Sequence, residues 1–384
     1  MSGIYIHIPF CKQACNYCNF HFSTSLQLKD EMMEALVKEI SLSALASWES
    51  GGEKENIATI YFGGGTPSLP GDIEIKKLLD SVKGNYLVSN DAEVTLEANP
   101  DDINAKKLSA WRDAGINRLS IGIQSFYEND LQWMNRIHSS KQALECITLA
   151  KDAGFENFSA DLIYGTPGLT DEDWKINVDQ LLALETPHIA CYALTVEPNT
   201  ALQKMIHLKK KAGLDTDQQA RQFLLLMKWM KNAGYEHYEI SNFAKPGYRS
   251  RHNSSYWQGK KYTGIGPSAH SYDGTTRKWN ISNNAVYINS VRKNTIPFEE
   301  EKLTDVQRLN EYVMISLRTM EGLDLDTIEK KFSRAESERI KSSVKGYLEK
   351  KWILLIDEKI MLTDEGKLFA DGIASDLFSP EPSY

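Results

Sequence analysis

Short runs rich in β-branched and aromatic residues recur through the first half of the chain, at 3–10 (GIYIHIPF), 57–63 (IATIYFG), 92–97 (AEVTLE), 117–124 (NRLSIGIQ), 158–164 (FSADLIY) and 188–196 (HIACYALTV). Nearly all are followed by a stretch of helical periodicity, at 28–47, 72–83, 103–114, 140–153 and 171–185. This alternation predicts parallel βαβ units in a wound sheet or a barrel. Within the runs, Ile4, Ile6 and Ile8 alternate with Tyr5 and His7. Val94 and Leu96 alternate with Glu93, Thr95 and Glu97, and Leu119, Ile121 and Ile123 with Ser120, Gly122 and Gln124. One face of each strand is apolar and the other polar. A closed eight-stranded barrel fills its interior with branched apolar side chains, and a doubly wound sheet is apolar on both faces. The polar faces therefore predict an α/β fold of a different kind: a partial, open (β/α)6 TIM-like barrel whose inner side holds a ligand. Chemistry is expected beyond the C-terminal strand ends, which read Phe10-Cys11, Gly63-Gly64-Gly65-Thr66-Pro67, Glu97-Ala98-Asn99-Pro100, Gln124-Ser125 and Gly165-Thr166-Pro167.

From about residue 214 the pattern is helical through 233, then irregular and aromatic-rich through about 290. After NTIPFEEEK it predicts helices near 303–320, 324–332 and 335–350, then two short strands in WILLIDEKIMLT. Three regions follow: a core at 1–235, an aromatic-rich extension at 236–295, and a smaller, mainly helical, winged-helix-like module at 296–384. A chain of 384 residues is long for one core, which agrees with such a division. The balance of 44 basic against 52 acidic residues gives a net charge of −8, which argues against a nucleic-acid or anionic-membrane binder. The winged-helix-like module is accordingly read as a protein contact or a lid. With no run of about 18 apolar residues and no leader pattern, a cytoplasmic location is expected.

Composition adds one cluster. Three of the five cysteines, Cys11, Cys15 and Cys18, form C-x3-C-x2-C in CKQACNYC, on the loop after the first predicted strand. The odd count in a reducing compartment speaks against a disulfide framework. Structural zinc wants four ligands, and His7 and His21 complete no familiar finger spacing. A C-x2-C redox pair would leave Cys11 unexplained. Three thiolates on one tight loop can instead ligate three irons of a [4Fe–4S] cluster and leave the fourth iron open for an exchangeable ligand. Unrelated buried or zinc-bound cysteines are the competing reading. Cys146 and Cys191 fall in helical and strand patterns, where small buried residues belong.

A C-x3-C-x2-C loop after the first of six β-α units resembles the radical S-adenosylmethionine (SAM) superfamily. The resemblance implies a cluster held by Cys11, Cys15 and Cys18, with the amino and carboxylate groups of SAM on the open iron. It also implies reductive cleavage of the sulfonium C–S bond to a 5′-deoxyadenosyl radical. Gly64, Gly65 and Thr66 in GGGTP match the glycine motif that meets the ammonium of SAM, where a Cβ would block the approach. Taken alone, GGGTP is equally a tight turn. Tyr17, before the third cysteine, matches the aromatic position near the adenine. Tyr5, Glu97, Gln124, Arg136 and Asp161 match SAM-contacting positions of the porphyrin-related branch. Arg136 suits a carboxylate, and Glu97 or Asp161 the ribose hydroxyls. A lone polar residue at a strand end is otherwise simply solvated.

The strings IYIHIPFCKQACNYCNF, YFGGGTPS, EANP, SIGIQSF and DLIYGTPG extend the resemblance, over nearly the whole chain, to the oxygen-independent coproporphyrinogen III oxidase family. Its decarboxylating members carry an N-terminal extension and a further cysteine two positions after the third cluster ligand. Here Phe20 stands at that position and the cluster motif begins at residue 11. The HemW-type heme chaperone branch keeps three cysteines and an H-N-x-x-Y-W motif, which reads His252-Asn253-Ser254-Ser255-Tyr256-Trp257. That branch implies heme binding and transfer of heme to an acceptor protein. His252 is then the expected heme ligand, with aromatics to stack on the macrocycle, and Arg249, Arg251, Lys260 and Lys261 to offset the propionates. His270 in GIGPSAHS is a second candidate ligand, and a loop histidine beside Tyr and Trp is otherwise a packed structural residue. The resemblance further implies an electron donor if SAM is cleaved, a homodimer, and peripheral membrane contact through a respiratory acceptor. The competing enzyme reading is oxidative decarboxylation of coproporphyrinogen propionates.

Overall fold

The alternation of the strands becomes a division between two faces of one sheet. In β1 (Ser2–Ile8), Ile4, Ile6 and Ile8 are fully buried in the main core, while Tyr5 and His7 take the opposite face. β2 (Asn56–Gly64), β3 (Leu87–Ala98), β4 (Arg118–Gln124), β5 (Phe158–Tyr164) and β6 (His188–Ala193) follow, each parallel to its predecessor. The helices between them (Lys29–Glu49, Asp72–Asn85, Ala105–Ala114, Ser140–Asp152 and Asp171–Ala183) cover the apolar face with residues such as Leu79, Trp111, Ile147 and Trp174. Several start at side-chain caps placed by sequence: Asn104 accepts from the Lys107 amide, Ser139 from Gln142 and Thr170 from Asp173. A short helix at Glu128–Met134, which the periodicity did not predict, precedes the one at Ser140.

The computed structural model describes residues 2–49 and 54–380. Met1, residues 50–53 and residues 381–384, the last ending the expected C-terminal module, lie outside the described residues.

Register sets the polar face in rows. Gly3 lies beside Thr59 and Tyr5 beside Tyr61, Thr59 beside Glu93, Thr95 beside Arg118 and Glu97 beside Ser120, and Ser159 beside His188. The stretch read as irregular holds five short strands and a sixth lies just past it, in FEEEK at the start of the expected C-terminal module; together they lengthen this sheet at both ends. β7 (Glu236–Glu239) and β8 (Asn242–Ala244) form a hairpin beyond β6. β9 (Tyr262–Ile265) returns to lie parallel to β1, and β10 (His270–Tyr272), β11 (Thr276–Asn280) and β12 (Phe298–Lys302) continue antiparallel from it. The order β12-β11-β10-β9-β1-β2-β3-β4-β5-β6-β8-β7 is open, as a partial barrel requires. Strands of three to five residues are too short for a two-residue period to show.

A buried carboxylate ties the new edge to the first helix. Glu39, 1% exposed, accepts from the Gly266 amide at 2.6 Å, from Asn280 Nδ2 at 2.6 Å and from the Tyr287 hydroxyl. Burial raises its pKa to about 6 despite these donors. Glu39→Ala strands three buried donors and is expected to cost about 3–5 kcal/mol. Chemical denaturation checks this; a loss below about 1 kcal/mol would mean that water replaces the carboxylate at no cost.

Helices at Asp305–Leu317, Leu325–Lys331, Arg334–Ser343 and Lys345–Glu349 build a second, smaller core with β13 (Leu323–Asp324), β14 (Ile353–Ile356) and β15 (Lys359–Leu362), around Val313, Ile340 and Ile360. The three strands pair antiparallel in the order β13-β15-β14, giving the winged-helix-like arrangement. This module docks through backbone bonds, Ile240 N–H to Arg318 O at 3.1 Å and Met320 N–H to Tyr238 O at 3.1 Å. Arg249 reinforces it by pairing with both Glu236 and Glu321. No described helix is long and apolar enough to cross a membrane.

Candidate functional site

The cysteine loop leaves β1 and is clamped on several sides. The Cys11 amide donates to Ser23 O at 3.0 Å, and the Ser23 amide returns a bond to Pro9 O at 2.9 Å. Asn16 donates through its amide to Met134 O and through Nδ2 to Trp133 O, and its own carbonyl accepts from Leu202 N–H. Lys12 reaches Asp101 at 2.6 Å and the buried Asp102 at 2.5 Å. The short helix missed from sequence thus supplies part of the loop's support. Cys11, Cys15 and Cys18 are free, half-buried thiols on this frame. Burial pushes Cys11 up to about 11 and Cys18 upward as well, so these two thiols keep their protons until a metal displaces them.

The glycine turn after β2 packs directly on the loop. Gly65 N–H donates to Ile8 O at 2.9 Å, and a Cβ there would stand 2.7 Å from Phe10 O. Gly64 has φ +110°, and its Cβ would meet the His7 ring at 2.6 Å. Glycine is required at both positions for this approach. Thr66 accepts from Asn99 Nδ2 at 3.3 Å. Asn99 Oδ1 accepts from Arg136 Nη2 at 2.7 Å, and Arg136 Nη1 lies 3.4 Å from Cys15 Sγ. Glycine turn, EANP segment, Arg136 and cysteine loop are therefore one connected unit. Tyr17 packs half-buried beside Leu131, Met134 and Ile163. Gln124, at the end of β4, adopts a left-handed φ of 66°.

On the inner face Glu97 accepts from the Tyr61 hydroxyl at 2.8 Å, and Tyr5 stacks on Tyr61 at 6.1 Å. Burial pushes Glu97 up to about 7, and the nearby Asp161 adds to the rise. Burial likewise raises Asp161 to about 7 against the pull of Arg118 and Arg136. Either carboxyl can donate as well as accept near neutrality. Arg118, 1% exposed and beside Glu93 at 3.9 Å, escaped sequence reasoning; its signal was a charge on a strand face that otherwise carries only Ser120, Gly122 and Gln124.

His252 lies at the other end of the strands from the cysteines. The helix Arg251–Trp257 sits on the polar face, with the Arg251 and His252 amides donating to the two oxygens of Glu93. The His252 ring, 1% exposed, stacks on Tyr61 at 5.0 Å. Its Nδ1 lies 2.8 Å from Thr59 Oγ1 and its Nε2 2.8 Å from the Tyr256 hydroxyl, so both nitrogens are engaged. His270 is exposed, on β10. Cys146 and Cys191 are buried in the main core.

A cavity of about 930 Å³ opens between the inner face, the cysteine loop and the C-terminal module. The loop contributes Phe20 and His21, the Arg251–Trp257 helix Tyr256 and Trp257, and the module Tyr312 and Phe332. His270 and the cations Lys260, Arg277, Arg308 and Lys331 complete its character.

The radical SAM superfamily model matches residues 5–181, and the HemN C-terminal domain model residues 303–369. The heme chaperone HemW of Bacillus subtilis is 34% identical over 97% of this chain and 98% of its own length. HemW of Mycobacterium tuberculosis is 35% identical over 98% of this chain and 94% of its own. This chain belongs to the HemW family. Among solved structures, coproporphyrinogen III oxidase (HemN) from Escherichia coli matches with a TM-score of 0.84 at 23% identity, over 98% of this chain and 90% of that one. That likeness fixes the fold. A HemW-family chain with a radical SAM core carries a [4Fe–4S] cluster and SAM. The donor set fits the cluster: Cys11, Cys15 and Cys18 are three free, half-buried thiols on one loop, one for each of three irons.

Proposed function

We propose that this chain is a heme chaperone that seats heme in the large cavity and passes it to an acceptor protein. Cys11, Cys15 and Cys18 hold the cluster. Tyr5, Tyr17, Gly64, Gly65, Thr66, Glu97, Gln124, Arg136 and Asp161 surround SAM, which supplies one-electron chemistry at its sulfonium when bound. The cavity carries the reading. Its volume lies at the upper end of the about 300–1,000 Å³ typical of small-molecule sites, and its walls join aromatic rings with cations, as a flat dicarboxylate macrocycle requires. Lys260 and Lys331 come from different parts of the fold and have no ion pair among the described residues, which suits them to the two propionates. Arg249 and Arg251 are already paired, with Glu236 and Glu321 and with Asp91 respectively. His270, exposed on the cavity wall, is the better-placed ligand for heme iron, while His252 acts from beneath by holding Tyr256. Five unpaired cysteines suit the reducing cytoplasm.

Anaerobically reconstituted protein, assayed in parallel for heme uptake and for coproporphyrinogen conversion, tests this function. Stoichiometric heme retention without decarboxylated product is expected. Catalytic formation of vinyl product would replace the chaperone by the dehydrogenase.

A further inference from the structure

Three histidines line the cavity, and their ring nitrogens are not equivalent. His7 spends both: Nδ1 lies 3.3 Å from the Tyr5 hydroxyl and Nε2 2.9 Å from His21 O. His270 has no hydrogen-bond partner on its ring among the described residues. His21 is intermediate. Its Nε2 lies 2.8 Å from Asn284 Oδ1, an oxygen that only accepts, so Nε2 carries the proton. Nδ1 then keeps its lone pair, with no partner among the described residues. An imidazole that donates one N–H to an amide or carboxylate oxygen and leaves the other nitrogen bare is the usual arrangement of a metal-ligating histidine. The ring is half-buried and stands three residues after Cys18, on the same loop.

Building on the heme-binding reading above, we propose that His21 ligates heme iron from the cysteine loop, with His270 on β10 as the other axial ligand. The step is a dative one: the Nδ1 lone pair enters the iron coordination sphere, Nε2 keeps its proton, and no electron is transferred. Asn284 acts as a positioning residue that fixes the ring and its tautomer. Cargo iron and cluster would then share one loop, with their ligands three residues apart.

The test titrates ferric heme into the full-length, cluster-reconstituted protein and follows its absorption and EPR spectra and its transfer rate to apomyoglobin. Wild type is expected to give a six-coordinate, low-spin spectrum. His21→Ala is expected to give a five-coordinate, high-spin one, with heme release faster by about tenfold or more, the order seen when metal-site support is lost. Added imidazole should restore the low-spin form, which no merely structural role of His21 would allow. Asn284→Asp, which keeps an accepting oxygen at this position, should keep the low-spin spectrum, while Asn284→Ala should weaken it. The cluster absorption serves as an internal control; if His21→Ala loses it, His21→Asn of similar size provides the same comparison. A low-spin spectrum unchanged in the His21 variants, or a high-spin wild type, overturns the proposal. Failure of wild type to retain heme at all overturns the heme-binding reading itself.

Discussion

Cys15→Ala protein, reconstituted anaerobically with iron and sulfide, is expected to show no [4Fe–4S] absorption or EPR signal, and the same holds for Cys11→Ala and Cys18→Ala. With three thiolates for four irons, no spare thiolate can take over; His21, on the same loop, offers only a ring nitrogen. Among the described residues, the nearby His7 has both ring nitrogens engaged, and Cys146 and Cys191 are buried in the main core away from the loop. The loss should be one of metal, not of fold. The loop is held by backbone bonds at Cys11, Ser23 and Asn16 and by the Lys12 ion pairs, none of which uses a sulfur; the Arg136 contact to Cys15 Sγ does, but Arg136 keeps its bonds to Asn99 and Gly122 without it. The apo variants should therefore stay within about 1 kcal/mol of the apo wild type, the range of a partly exposed substitution. Cys146→Ala is the control, and should keep its cluster. An intact signal in any one of the three loop variants would show that the ligand set is misassigned.

His252→Ala is expected to destabilise the apo protein by about 3–5 kcal/mol, as removal of a large, fully buried side chain does. The substitution empties the space between Gly3 and Tyr61 and unpairs Thr59 and Tyr256. It also changes the acid response. Burial, with Arg118 nearby, lowers the His252 pKa to about 3, well below its unfolded value of about 6.5. The unfolded chain binds the extra proton, so this group's contribution is fully present above about pH 6.5 and is lost as pH falls toward 3. Denaturation curves at pH 7 and pH 5 should thus show a smaller acid loss in His252→Ala than in wild type. The axial spectrum of bound heme should be unaltered by the substitution. A changed spectrum with unchanged stability would return His252 to the iron.

The parallel strands, the covering helices and the cysteine loop were all legible in sequence, because each rests on a local period or a short spacing. Ile4, Ile6 and Ile8 announce a buried face without any knowledge of what covers them. What escaped depends on register and on distant chain segments. Nothing local to His252 tells that it rests on Gly3 and Thr59, or that Glu93 caps its helix across about 160 residues of chain. Phe20 marks in sequence only the absence of a cysteine, and proves to be a 69% exposed aromatic on the cavity wall. The contribution of Tyr312, Lys331 and Phe332 to that cavity follows from the docking of a separate module, which carries no sequence signal of its own. His21 offers from sequence only an unfamiliar zinc spacing, since its pairing with Asn284 spans some 260 residues.

The parallel pairing of β1 with β9 has a bearing on how the chain is made. Strand β1 gains β2 as a neighbour early, yet its other edge waits for Tyr262–Ile265. At about 5–20 residues per second, the roughly 250 intervening residues take on the order of 13–50 s to emerge from the ribosome. Throughout that interval the loop bearing Cys11, Cys15 and Cys18 stands at an unfinished sheet edge, and the wall bearing His270 does not yet exist. Nascent chains of this protein therefore present their metal-binding thiols well before they can enclose a cargo.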